Sequence, residues 1–194
     1  QWDALDFIIA TPPCQGMSKN WQWKLLQWIR EWKKPKIDIR NRLIIPTLDI
    51  ATSLQPDTIV FENVPEMYNT IIDDENGDFV NIIEYIQRRL WPKYVWKAEV
   101  VEFADYWIPQ KRQRLITIFT KNANLINYFN TNKTLLPKKT HSNVISDGLK
   151  KYVSLFDAIG SLPILDWKNK ETAHSKIPYH HVPVLDDKKY FWIS

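Results

Sequence analysis

Glycine is scarce: the chain holds 4 in 194 residues, and no Gly-x-Gly turn follows any apolar run. A nucleotide-gripping turn of the Gly-x-Gly-x-x-Gly kind is thereby excluded from this segment. Cysteine is scarcer still. A single thiol, Cys14, rules out an internal disulfide and fits a reducing compartment. No window of eighteen apolar residues exists, so no membrane span is expected. No basic leader precedes an apolar core, so no secretory signal is expected either. There is no initiating Met. The chain opens Gln1-Trp2-Asp3 only a few residues before its first strand-like run, and we expect an excised piece of a longer protein. Neither an internal repeat nor a low-complexity tract occurs. The net charge of +4 mildly favours a polyanionic partner.

Against these absences stands one organised stretch, Leu5 to Ser18, in which an apolar run meets Pro12-Pro13 and then Cys14. A continuous apolar run bounded by Pro and Gly reads as a fully buried, central strand of a parallel sheet. The prolines end it, since neither has an N–H for the ladder. Cys14 then lies just beyond the carboxyl end of a strand, the edge at which open α/β sheets hold their ligands. A lone Cys is commonly a small buried hydrophobe; this position argues for a nucleophile.

Downstream, residues 18–36 are basic and rich in tryptophan, with Trp21, Leu25, Trp28 and Trp32 at helical spacing. The stretch reads either as an amphipathic helix or as a loop closing over nucleic acid. Residues 41–54 predict a helix with Leu43, Thr47, Ala51 and Leu54 on one face. Thr58 to Phe61 predicts a second buried strand, ending in Glu62-Asn63-Val64-Pro65. An acidic turn spans Asp73 to Gly77. Phe79, Ile82, Ile83, Ile86 and Leu90 predict a helix ending near Trp91-Pro92. Strands are expected over Tyr94–Val101 and Leu115–Phe119. Residues 121–143 read as a surface connection, and Ser154–Leu162 as a short helix. His174, His180 and His181 lack a Cys or acidic partner at ligand spacing, so no metal site is expected.

Three polar clusters thus follow strand-like runs: Cys14, Glu62, and the set Gln110, Arg112 and Arg114. If the strands are parallel neighbours, a thiolate, a carboxyl group and arginines meet at one edge, a set suited to attack on a polar heteroaromatic ring. Spacing alone leaves bland alternatives open: a surface acid for Glu62 and a solvated face for the arginines.

Pro13-Cys14-Gln15, Glu62-Asn63-Val64 and Gln110-x-Arg112-x-Arg114 resemble, in order, the central motifs of the DNA cytosine-5 methyltransferases. Asp38-x-Arg40-Asn41-x-Leu43, Ala104-Asp105-Tyr106, Thr140-His141-Ser142 and Asp157-Ala158-Ile159-Gly160-x-Leu162-Pro163 resemble the family's connecting segments. The likeness spans roughly residues 5–165. It implies an α/β fold, part of a Rossmann-like methyltransferase domain with a mostly parallel sheet and an antiparallel last strand. Residues 1–121 would be the central part of the catalytic domain. Residues 122–194 would be the connection and the start of a small target recognition region.

The chemistry the resemblance implies is methyl transfer from S-adenosylmethionine to C5 of a flipped cytosine in double-stranded DNA, as in a restriction-modification system. Cys14 would add to C6, a protonated Glu62 would donate toward N3, Arg114 would hold O2, and Arg112 would serve as a pocket or phosphate partner. Pro12, Gln15, Ser18, Asn63, Val64 and Gln110 are expected on the substrate side, and Pro13 beside the cofactor. A cytoplasmic enzyme of a bacterium or phage is expected.

Two departures stand out. Trp107 occupies a position usually held by Gly, and the upstream cofactor motifs and the terminal motifs are missing. The cofactor pocket is therefore expected to be incomplete, with missing parts of the same enzyme or a complementary subunit as partners. The edges of the Ile8 and Ile59 strands would otherwise be left open, favouring self-association. The alternatives are a methyltransferase acting on tRNA and a non-catalytic nucleic-acid-binding module.

Overall fold

Alternation along Thr58–Asn63 decides which face of the sheet becomes core. Ile59, Phe61 and Asn63 are buried, while Val60 and Glu62 are only half-buried, the period-two signature of a strand with one covered face. The computed structural model describes residues 5–13, 16–17, 38–144, 148–165 and 176–181. Cys14, Gln15, Ser18, the Trp-rich stretch and His174 lie outside the described residues. The chain divides into two compact units, Gln1–Tyr152 and Val153–Ser194; residues 122–152, expected with the recognition region, group with the first.

In the first unit, β1 (Phe7–Ala10) and β2 (Thr58–Asn63) pair in parallel, Ile8 opposite Ile59 and Ala10 opposite Phe61. Two later strands, β5 (Val95–Glu102) and β6 (Gln113–Thr120), complete a four-stranded sheet in the order β1-β2-β6-β5. β6 is antiparallel to both neighbours, so β1, β2 and β5 share one direction and the last strand runs against them. This is the expected mixed α/β, Rossmann-like arrangement.

One face of the sheet is covered by two helices. Ile44, Leu48 and Ala51 of α1 (Ile44–Leu54) join Ile82, Ile83, Ile86 and Leu90 of α2 (Ile82–Leu90) in the cluster that holds Ile59, Phe61, Leu115 and Phe119. Phe61 meets Phe119 edge-on at 6.0 Å, and Trp96 stacks on the same ring at 5.9 Å. Asn81 starts α2 by accepting from the N–H groups of Ile83 and Glu84, an N-cap role its short amide suits. Before it, β3 (Ile71–Asp73) and β4 (Phe79–Asn81) form a hairpin around the acidic turn. Gly77 in that turn has φ +85°, where a side chain would be strained.

Several expectations are corrected. β1 is an edge strand of the described sheet, not a central one: Phe7 is 48% and Ile9 65% exposed. An apolar run reveals hydrophobicity but not whether a covering layer is present. The Ile59 strand, expected to leave an open edge, is flanked on both sides. The buried face of α1 begins at Ile44 rather than Leu43, because a 3-10 turn over Ile39–Leu43 shifts the phase and leaves Leu43 and Leu54 exposed. Phe79 lies in β4, 76% exposed, and not on the helix.

Within 121–143 there is a helix, α3 (Ala123–Thr131), capped by Asn122 and buried through Phe129. Its asparagines suggested a loop, yet one of them is its cap. After α3, β7 (His141–Ser142) pairs in parallel with β8 (Lys150–Lys151). The second unit contains α4 (Leu155–Ile159), opened by a capping box between Ser154 and Asp157. No helix among the described residues is long and apolar enough to cross a membrane.

Candidate active site

The register brings the motif residues to one end of the sheet. Ala10 is level with Phe61, so the chain leaving β1 through Pro12-Pro13 runs beside Glu62-Asn63, the last two residues of β2. Glu62 lies opposite Ile116 on β6, which puts Arg114, two residues earlier on the same face, at the diagonal position. There Arg114 Nε meets Glu62 Oε1 at 2.7 Å, the side chains 14% and 31% exposed respectively. Arg114 also donates from Nη1 to the Gln113 carbonyl at 2.7 Å. The ion pair lies on the half-covered face, open enough to admit a ligand yet dry enough for charge to matter.

Asn63 points to the other face, which packs against the helices. Its Nδ2 donates to the Pro12 carbonyl at 3.1 Å, and its Oδ1 accepts from the Val64 N–H at 2.8 Å. Both groups are buried, so the amide fastens the diproline turn to the end of β2. Val64 is 7% exposed, and Pro65 behind it opens a 3-10 turn over Pro65–Asn69. Pro12 is buried and Pro13 exposed.

Beyond residue 14 the turn is held by packing. Met17 is 1% exposed within the core. A Cβ at Gly16 would stand 2.3 Å from Asn41 Oδ1 and 2.7 Å from Asp38 Cβ, so only glycine fits this approach. Asp38 opens the Ile39–Leu43 turn by accepting from the Arg40 N–H at 3.0 Å and from Arg40 Nε at 2.9 Å. Asn41 Oδ1 is buried with no hydrogen-bond partner. Gly16, Met17 and Asn41 were not among the expected site residues; the sequence signals were a small residue two places after Cys14 and the Asp38-x-Arg40-Asn41 segment.

Gln110 and Arg112 do not join the Glu62–Arg114 pair. Both are exposed on the connection between β5 and β6. The backbone N–H of Arg112 donates to Glu102 Oε1 at 2.8 Å. That connection is anchored by Asp105, 5% exposed, which receives Tyr152 Oη at 2.6 Å and Lys139 Nζ at 2.5 Å. Burial pushes the Asp105 carboxyl up, but Lys139 and the Tyr152 hydroxyl outweigh it and hold the group below the usual carboxylate range. The same bond, helped by burial, pushes the Tyr152 phenol up to about 12.

The sequence resemblance implies S-adenosylmethionine, expected beside Pro13. Pro13 is exposed past the end of β1, and the exposed Phe7 and Ile9 lie on the same strand. Exposed apolar side chains of this kind would suit the apolar parts of such a ligand.

Comparison with known proteins bears on the family and the fold. A family model for C-5 cytosine-specific DNA methylases matches residues 1–189. Type II methyltransferase M1.HgaI of Avibacterium volantium is 31% identical over 198 residues, covering 98% of this chain and 45% of that protein. Type II methyltransferase M.BspRI of Lysinibacillus sphaericus is 26% identical over 174 residues, covering 84% of this chain and 33% of that protein. The chain therefore spans less than half the length of these relatives. A crystal structure titled as a DNA modification methyltransferase encoded within an E. coli prophage superposes with TM-score 0.52 at 24% identity, over 84% of this chain and 37% of that one. It supports the fold.

Proposed function

Because the chain belongs to the family of C-5 cytosine-specific DNA methylases, we propose that it is the central part of a DNA (cytosine-5-)-methyltransferase of the restriction-modification kind. The observation that carries this reading is the Glu62–Arg114 ion pair, 2.7 Å long. It stands at the same sheet end as the diproline turn leading into Cys14, a turn tied to β2 by Asn63.

Carbon 5 of cytosine is a weak nucleophile. Addition of the Cys14 thiolate at C6 forms a C–S bond and moves the ring electron pair onto C5 and N3. Glu62 passes a proton to N3 and orients the exocyclic amine. Arg114 holds both that carboxyl group and the base oxygen O2. S-adenosylmethionine, when bound, supplies an electrophilic methyl group. A base then takes the C5 proton, N3 returns its proton to Glu62, and the C–S bond breaks to release the thiolate. The target base is unreachable inside a duplex and has to be flipped out, at a cost of a few kcal/mol. Gln15, Ser18 and Arg112 are assigned to the DNA side, and Pro13 to the methyl donor. The outer side of β1, the edge of the sheet among the described residues, is where further strands of the same protein, a complementary subunit or a second copy would pair.

The test is covalent trapping. In the whole protein, Cys14→Ser should abolish both methyl transfer and the denaturant-stable adduct on DNA containing 5-fluorocytosine. A serine variant that still forms the adduct refutes the nucleophile.

A further inference from the structure

Trp107 holds a backbone conformation that a residue with a Cβ disfavours. Its φ is 72° and its ψ 8°, in the left-handed region used mainly by Gly and, among other residues, by Asn and Asp. Packing does not explain it, since the residue is 70% exposed. Strain of this sort persists where the surroundings over-determine it, and it gathers at binding sites.

The surroundings do fix this backbone. The Phe103 N–H donates to the Arg112 carbonyl at 3.0 Å, and Glu102 faces Gln113 across the ladder. Residues 103–112 are thus the tip of the β5–β6 hairpin, two residues short of Arg114. Asp105 is clamped by Lys139 and Tyr152, and Tyr106 Oη donates to the Pro137 carbonyl at 3.0 Å.

What the tip shows to solvent is equally specific. Ile108 is 41% exposed, and Lys111 and Arg112 are exposed. The acidic groups of the tip are already engaged. Glu102 accepts from the N–H groups of Ala104 and Arg112, and Asp105 is buried. An exposed indole and two exposed cations on one hairpin tip, whose carboxylates are already engaged, are complementary to a phosphate backbone carrying stackable bases.

We propose that Trp107 contacts DNA, its indole stacking on a base next to the flipped cytosine while Lys111 and Arg112 hold adjacent phosphates. This rests on the methyltransferase reading above. The ring acts in binding and carries no chemical step.

The experiment measures the dissociation constant of the whole protein for long unmodified duplex DNA, with KM for DNA, kcat and Tm. Trp107→Gly and Trp107→Asn both suit the left-handed backbone and remove the ring. Each should weaken DNA binding and raise KM roughly tenfold, leave kcat within about threefold, and keep or raise Tm. Trp107→Phe, aromatic and equally strained, should retain affinity within about threefold. Affinity within twofold of the parent in both Gly and Asn variants overturns the proposal. A fall in Tm in both overturns it too, because the ring would then be a packing element. If the parent protein itself neither binds nor methylates this DNA, the methyltransferase reading fails, and this proposal with it.

Discussion

The side-chain amide of Asn63 donates to the carbonyl oxygen of Pro12 over 3.1 Å, across a separation of 51 residues. Nothing local brings these groups together. They meet because β1 and β2 run parallel in a register that sets the turn after Ala10 beside the last two residues of β2. The bond consumes a carbonyl that Pro12 would otherwise leave buried and unpaired, and it sets the direction in which the chain leaves toward Cys14.

Asn63→Ala should therefore damage two properties at once. The Pro12 carbonyl and the Val64 N–H both lose their partner, which should lower stability by about 1–3 kcal/mol. Turnover should fall further than that instability explains, since the turn leading to the proposed nucleophile is no longer fastened. Denaturant unfolding and single-turnover methylation measure the two effects separately. Unaltered turnover in a destabilised variant would show that the turn holds its shape without Asn63.

Glu62 and Arg114 should separate by kinetics. Glu62→Gln keeps the shape and a hydrogen-bonding head, yet loses the proton that builds in importance as charge develops on the ring. Its turnover should drop by roughly 10²–10⁴-fold with DNA affinity little changed. Arg114→Ala removes the clamp on Glu62 and the proposed contact to the base, so both affinity and turnover should fall. Normal turnover in Glu62→Gln removes the proposed proton donor.

Strand residues were legible where one chemical pattern answers one question. The run Ile59-Val60-Phe61 and the alternation of Val95–Val101 need only a period of two, and the structure has strands there. Pairing partners needed register, which no local window contains. Glu62 and Arg114 were expected at one pocket, but their direct contact depends on Glu62 facing Ile116. Layering was also illegible: Phe7-Ile8-Ile9 looks the same whether a strand is covered on one face or two. The phase of α1 slipped by one residue because a 3-10 turn precedes it. For α3, composition pointed to a loop while Asn122 was already the start signal of a helix.

The clamp on the β5–β6 connection gives a pH dependence whose sign follows from its two groups. Asp105 titrates below the usual carboxylate range, so its contribution is complete above the unfolded-state value near 4 and is lost as pH falls through the lower folded value. Tyr152, pushed up to about 12, contributes fully below the unfolded-state value near 10 and loses that contribution as pH rises to about 12. The clamp is therefore whole between about pH 4 and pH 10. Tyr152→Phe keeps the ring but leaves buried Asp105 with Lys139 alone, and should cost about 1–3 kcal/mol across that window. Melting curves of parent and variant should run a constant distance apart from pH 5 to pH 9 and converge between pH 10 and pH 12, where the parent's own phenol ionises. A gap unchanged through pH 12 would mean that the Tyr152 hydroxyl does not depend on Asp105 for its stabilising effect, and that the connection is held by Lys139 and the Thr140 backbone bond to Asp105 instead.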